Sequence, residues 1–294
     1  MKTFSIIVSQ DQDQKTVHHL VRKVMQISSG AYSSLKFSGG ITLDGKQAYA
    51  KDRVRTGQAL QVTFPDGKSS YPDTEDNAND IIIAYEDEDY YVINKPAGLA
   101  TMYSPSQGGK TLETGLYHYL GKPDDYVFRP INRLDKGTSG LMAVARHAHA
   151  QQLLQKELHT DCFIREYTAL CKGCLPKPEG VICAPIGKMK NGVKRFVTDD
   201  GKEAVTEYRV LEKGANATLV RLRLRTGRTH QIRVHMSYMG CPVWGDYVYG
   251  EEDASFPGCF ALHSSKITFL QPLKKKTIQI DSQIPAHWYD LLRK

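Results

Sequence analysis

One carboxylate stands between cations in the segment Asn132-Arg133-Leu134-Asp135-Lys136-Gly137-Thr138-Ser139-Gly140. An ionised Asp there could attack an electrophilic carbon or take a proton, provided something rigid holds it in place. The apolar run Leu141-Met142-Ala143-Val144-Ala145 follows at once, so Asp135 is expected on a loop just ahead of a buried strand. The same residue types also suit an ordinary Gly/Ser-rich turn in which the Asp bonds only to neighbouring backbone. The segment alone supports both readings.

A second group of chemistry-bearing residues begins at Leu219. Val220, Leu222 and Leu224 alternate with Arg221, Arg223 and Arg225, so one face of this strand should enter a core while the other presents three guanidiniums. Such a ladder suits phosphate, and it equally suits a solvated strand face. In the next stretch, Thr226-Gly227-Arg228-Thr229-His230-Gln231-Ile232-Arg233-Val234-His235, Thr229 is expected to cap a helix whose first turn offers backbone N–H groups to a nucleic-acid backbone. His230 and His235 are five apart and do not share a helical face, which argues against a two-histidine metal site.

The six cysteines lie at 162, 171, 174, 183, 241 and 259, unlike a secreted disulfide framework. Cys171 and Cys174 have CxxC spacing with Cys162 and Cys183 flanking them, but the second CxxC of a zinc site is missing. Reduced thiols and no metal are the expectation. The chain carries 39 Lys plus Arg against 32 Asp plus Glu, a net charge of +7, which favours a polyanionic partner without requiring one. No apolar run approaches a membrane span and no signal-peptide core follows Met1, so a soluble, cytoplasmic protein is expected.

The elements that must position these groups fall into two units, since 294 residues exceed the ~100–200 of one ordinary domain. In residues 1–66, Val17, Leu20, Val21, Val24 and Ile27 mark an amphipathic helix that Thr16 can cap. A second helical turn is expected over Ser33–Phe37, stopping at Gly39-Gly40, with strands at Ile41–Leu43 and Leu60–Phe64. Lys36, Lys46 and Arg53, with Lys51 and Arg55, gather around this hairpin, either as an RNA-binding face or as a solvated basic one. Residues 67–80 are polar and aperiodic and read as a linker.

The second unit, 81–294, opens on a hairpin of Ile81–Tyr85 and Tyr90–Asn94. Helices are expected at Leu112–Leu120 and His149–Leu158, and strands at 141–145, 167–171, 205–210, 219–225, 260–262 and 276–280.

Several of these segments, taken in order, resemble one family, the RluA-type pseudouridine synthases, which isomerise uridine to pseudouridine in structured RNA. They are Val92-Ile93-Asn94-Lys95-Pro96-Ala97-Gly98, Arg133-Leu134-Asp135 with Thr138-Ser139-Gly140, Arg165-Glu166-Tyr167, Gly227 to His235, and Trp244-Gly245-Asp246-Tyr247. The first 65 residues resemble the small RNA-binding domain shared by a ribosomal small-subunit protein and tyrosyl-tRNA synthetases.

The resemblance implies an α+β fold: a catalytic domain on a bent, mainly antiparallel mixed sheet with flanking helices, preceded by a small α/β RNA-binding domain. It implies Asp135 as catalytic nucleophile, Tyr167 as the ring that stacks on a flipped-out uridine, and Arg233 as the partner of Asp135. Arg133 would enter the RNA stack; Arg228, His230 and Gln231 at the helix start, and Lys36, Lys46 and Arg53 on the basic hairpin, are expected to contact RNA from their charge and position. The expected partner is structured RNA, ribosomal first and transfer RNA second, bound by a monomer needing neither cofactor, membrane nor protein partner. At Asn132 the chain departs from the His that many members carry, which bears on substrate identity rather than on the reaction.

Overall fold

The computed structural model of the chain describes residues 2–64, 75–104, 109–189 and 194–293. The expected linker lies outside them up to residue 74. Its last part is docked rather than free: the Asn77 side chain is buried and donates to the Thr111 carbonyl at 3.0 Å.

The N-terminal unit comprises β1 (Lys2–Ile7), α1 (Val17–His19) running into a π turn over Leu20–Val24, α2 (Ser29–Ser38), β2 (Ile41–Leu43), β3 (Lys46–Gln47) and β4 (Ala59–Phe64). Thr16 caps α1 as expected, accepting from the His19 N–H at 3.2 Å. Val17, Leu20, Val21, Ile27, Leu60 and Val62 then close a core of their own. Helix α2 starts earlier than its periodicity indicates because Ser28 accepts from the Ala31 N–H at 3.2 Å, and it ends at Gly39 in the left-handed region. Strand β1, absent from the sequence reading, pairs with β4 along its length in a sheet of order β1-β4-β2-β3.

The second unit runs β5 (Ile83–Glu86), β6 (Tyr90–Lys95), α3 (Leu112–Tyr119), β7 (Ser139–Ala145), α4 (Ala148–Glu157), β8 (Phe163–Lys172), β9 (Glu179–Cys183), β10 (Ile186–Lys188), β11 (Arg195–Val197), β12 (Val205–Lys213), β13 (Ala217–Leu224), α5 (Gln231–Tyr238), β14 (Leu262–Gln271), β15 (Lys276–Asp281) and α6 (His287–Arg293). The main sheet has the order β5-β6-β7-β14-β8-β13-β12-β9, with β15 beside β14. All its pairings are antiparallel except β7 with β14, which touch only at His263–Ser139 and Ser264–Gly140 before β15 replaces β7 along β14. The α+β class with a large, mainly antiparallel mixed sheet expected from the sequence is the one observed.

Gly140 makes the junction possible. Its φ is +101°, and a Cβ there would sit 2.3 Å from the Ser264 carbonyl oxygen, so only glycine lets β7 pass so close. Ser264 in turn pairs with Tyr167, and the glycine five residues after Asp135 thereby brings the Asp135 loop alongside Tyr167. On the other side of the sheet, α4 packs Ala150 and Leu154 against Leu141, Ala143 and Phe269. The N-terminal unit rests on that helix: Gln152 accepts from the Ser28 N–H at 2.6 Å and donates to the Gln26 carbonyl at 2.7 Å.

Cys162 and Cys171 stand at opposite ends of β8. At ~3.3 Å per residue that is roughly 30 Å, so Cys162, Cys171, Cys174 and Cys183 cannot all share one metal ion. Among the described residues no helix is long and apolar enough to cross a membrane.

Candidate active site

The loop before β7 turns at Asp135, whose carbonyl accepts the Thr138 N–H at 3.1 Å. The turn is therefore made by backbone, and the carboxylate is left for other partners. Its Oδ2 accepts from Arg233 Nη1 at 3.1 Å and lies 3.7 Å from His230 Nε2. The carboxylate makes no bond to the neighbouring backbone that an ordinary Gly/Ser-rich turn would use, and meets side chains from a distant helix instead.

Arg233 projects from α5 and is 3 % exposed. Its Nε and Nη2 grip both oxygens of Asp246, at 2.7 and 2.8 Å, and its guanidinium lies 4.2 Å from the Phe260 ring centroid and 5.0 Å from that of Tyr249. Asp246 is fully buried and also accepts the Val248 and Tyr249 N–H groups. A fork clamped on one side in this bidentate way has a single orientation left, and that orientation points Nη1 at Asp135. Gly137 contributes by absence: a Cβ there would lie 2.6 Å from the Phe260 ring, so a side chain at 137 would push out the ring that supports Arg233.

Lys95 holds the loop from below. The residue is fully buried, and its ammonium donates to the Pro96 and Leu99 carbonyls at 2.8 Å and to that of Lys136 at 3.3 Å. Burial pushes its pKa down to about 8. Thr101 adds a hydrogen bond to the Leu134 carbonyl at 2.7 Å, so residues 95–101 clamp 134–136 from both ends. Asp246, Lys95 and Tyr249 received no site role from the sequence. The signal for Lys95 was a lone cation closing the apolar strand Val92-Ile93-Asn94, and for Asp246 the Gly245-Asp246 step after Trp244.

Asp135 and Tyr167 face a cleft of about 430 Å³ whose lining includes Asn132, Arg133, Arg165, Leu224, Arg228 and His230. Tyr167 is 4 % exposed, and burial raises its phenol pKa, so the hydroxyl stays protonated and can donate. The Asp135 side chain retains 30 % of its surface, so it sits at the mouth of the pocket and not in the dry interior. Arg133 is exposed at the rim.

His230 adopts a left-handed backbone, φ 58°. It meets the Tyr249 hydroxyl through Nδ1 at 2.8 Å, and burial lowers its pKa against the opposing pull of Asp135.

Two expectations fail, the Thr229 cap and the placement of Gln231 toward RNA. Thr229 does not cap α5; His230 occupies that position, and the orphan Arg228 N–H is taken instead by the Gln231 side-chain oxygen at 2.9 Å. Gln231 is consequently not placed for RNA. It is 3 % exposed, and its amide donates to the Val205 carbonyl and Thr206 Oγ1, each at 3.0 Å, tying α5 to β12.

The arginine ladder of β13 faces away from the cleft, because Leu222 pairs with Tyr167 and Arg223 with Glu166 and alternate residues take opposite faces. Arg223 and Arg225 are neutralised there by Asp161, with Glu207 also bound to Arg225. Lys36, Lys46 and Arg53 are exposed on the N-terminal unit and are not part of the cleft.

The family model described as RNA pseudouridylate synthase matches residues 89–238. The chain is 35% identical over 259 residues to an uncharacterized RNA pseudouridine synthase of Bacillus subtilis, YlyB, covering 86% of this chain and 85% of that one. It is 34% identical over 266 residues to a ribosomal large subunit pseudouridine synthase D of Xanthomonas campestris pv. campestris, covering 84% and 78%. Among solved structures, human RNA pseudouridylate synthase domain containing 1 superposes with a TM-score of 0.59 at 25% identity, covering 72% of this chain and 86% of that one. The residues that line the cleft all lie inside the matched region, with the Arg233 supports Asp246, Tyr249 and Phe260 beyond it, and the chain belongs to the RluA-type RNA pseudouridine synthases.

Proposed function

We propose that the chain isomerises a specific uridine in ribosomal RNA, with Asp135 as the nucleophile acting on a nucleotide flipped out of its stack. The observation that carries this reading is the Asp135–Arg233 contact of 3.1 Å at the mouth of the cleft that Tyr167 walls. Two relatives named ribosomal large subunit pseudouridine synthase D, 34% and 32% identical, favour ribosomal over transfer RNA.

The reaction breaks the bond from uracil N1 to ribose C1′ and joins C5 to the same carbon. C5 loses a proton, N1 gains one, and no electrons are exchanged. A carboxylate suffices as reagent, by covalent attack or by removing a sugar proton, and Arg233 holds it in place. Extruding the base costs a few kcal/mol. The Tyr167 ring offsets this by stacking, and Arg133 at the rim fills the vacated place in the RNA. Lys36, Lys46 and Arg53 add backbone contacts from the N-terminal unit.

Carbodiimide primer-extension mapping of ribosomal RNA, in cells with and without the gene, tests the substrate. One or more pseudouridines should vanish on deletion and return with the parent gene but not with Asp135→Asn. Restoration by Asp135→Asn would overturn the role given to that residue. Removing residues 1–66 should raise the KM for RNA more than it lowers kcat.

A further inference from the structure

Two buried donors on the wall of the cleft lack acceptors. Arg165 is 5 % exposed. Its Nη2 donates to the Leu158 carbonyl at a long 3.3 Å, and its Nε has no partner among the described residues. Asn132 is also 5 % exposed. Its Oδ1 accepts from the Ala143 N–H at 3.1 Å, which fixes the amide and leaves Nδ2 as the second donor without a partner among the described residues.

Both residues line the cleft that holds Asp135 and Tyr167. Buried donors are almost always satisfied, and a buried guanidinium is ordinarily paired with an anion. Asp135, the one carboxylate in the lining among the described residues, is already held by Arg233.

Gly227 borders the guanidinium within the same cleft: a Cβ there would touch Arg165 Nη1 at an ordinary 3.6 Å and press on His159 Cε1 at 3.1 Å. The missing partner is thus an acceptor-rich anion that enters together with the base beside Asp135.

We propose that Arg165 and Asn132 form the seat of the backbone phosphate attached to the extruded uridine, an assignment that rests on the uridine reading above. Arg165 supplies the charge and Asn132 a neutral donor. The cleft thereby grips the flipped nucleotide at both ends, the base by Tyr167 and the phosphate by Arg165. In the free protein the seat holds an uncompensated charge, which makes Arg165 a residue that favours binding at the expense of stability.

That trade gives the test a readout that a structural role would move the other way. Arg165→Met removes the charge and keeps much of the volume. It should melt at the same or a higher temperature than the parent, yet bind RNA roughly ten- to a hundred-fold more weakly, the loss of a charge-assisted hydrogen bond. Titration with uridine 5′-monophosphate, uridine and inorganic phosphate isolates the seat. The parent should prefer the monophosphate to uridine, Arg165→Met should lose that preference, and Arg165→Lys, which keeps the charge, should retain part of it. Asn132→Ala should weaken the preference more mildly.

A lower melting temperature with the monophosphate preference intact would make Arg165 structural and overturn the proposal. Inorganic phosphate binding as tightly as the monophosphate would overturn the link to the nucleotide. Failure of the parent to form pseudouridine on any cellular RNA would refute the proposed reaction, while the nucleotide titrations would still decide this seat.

Discussion

Arg233 and Arg165 are equally buried arginines in one domain, and their surroundings could hardly differ more. Arg233 has two carboxylates, with every contact at 3.1 Å or less, and two aromatic rings against its faces. Arg165 has one long carbonyl contact, the Phe163 ring centroid 6.0 Å from its guanidinium, and a nitrogen left bare among the described residues. The first arginine is complete without substrate, so its charge orients Asp135 whether or not RNA is present. The second is completed only by something that arrives. A buried cation thus reveals its role through what the protein has, or has not, supplied to balance it.

The largest effect expected of a single change within this comparison is at Arg233. Arg233→Ala leaves the fully buried Asp246 without its counter-charge, and breaking such a pair costs about 3–5 kcal/mol. Urea denaturation should show that loss, and pseudouridine formation should fail with it. Arg233→Lys keeps the charge but cannot grip both Asp246 oxygens and still reach Asp135, so it should recover stability better than activity. Equal recovery of both would mean that the fork geometry is irrelevant to Asp135. The sign is opposite at Arg165, where neutralisation is expected to stabilise.

How much of this could be seen in the sequence depends on whether the cause was local. The strand after Asp135 was legible because Leu141 to Ala145 is an unbroken apolar run, and its burial on both sides follows from that composition alone. Strand β8 was found only from Tyr167 onward, since Arg165 and Glu166 disguise its first half. Strands β9, β10 and β11 escaped because they are short and interrupt any apolar alternation, with Glu179 and Gly180 in β9, Gly187 and Lys188 in β10 and Arg195 in β11.

Gln231 was misread because a polar residue among Arg and His reads as surface; its true partners, Val205 and Thr206, are on a distant strand. The β13 alternation was correct in period. Which face carries the site was decided by pairing with Tyr167, which no local pattern encodes. The Asp135–Arg233 pairing itself came from family resemblance, whereas Asp246, which sets the arginine's direction, needed the structure.

His149 shows a third way to bury a basic group, which is to leave it neutral. It lies on α4 at the contact with the N-terminal unit, 5.0 Å from the Phe4 ring centroid and 6.1 Å from that of Phe64, with Nδ1 lacking a partner among the described residues. Burial, with His147 and Lys156 nearby, pushes its pKa down to about 4 from the ordinary 6.5. Between those values the unfolded chain binds the proton and the folded one does not, so stability falls as pH drops from 6.5 to 4. The loss amounts to about 3 kcal/mol at the low end. His149→Phe should shrink this acid sensitivity by that amount in denaturation curves taken across the window. An unchanged acid profile would show that the ring is solvated and that the two units separate easily.

The smallest effect is expected where cations are paired in water. Arg225 meets Asp161 at 2.6 Å and Glu207 at 2.8 Å, shorter contacts than the one between Arg233 and Asp135, yet its side chain is 40% exposed and that of Asp161 78%. Distance is therefore a poor guide to worth: solvent screening and the ordering of long side chains hold such pairs to about 0–1 kcal/mol. Arg225→Ala should change stability within that range and leave the salt dependence of RNA binding unaltered, because this face of β13 looks away from the cleft. A slope of log affinity against log salt that fell by about 0.7, the value of one phosphate contact on single-stranded RNA, would place RNA on the back of the sheet. The Asp161 and Glu207 carboxylates would then be competitors that RNA displaces, and the contrast between finished and unfinished cations would have to be drawn from affinity rather than from the free protein.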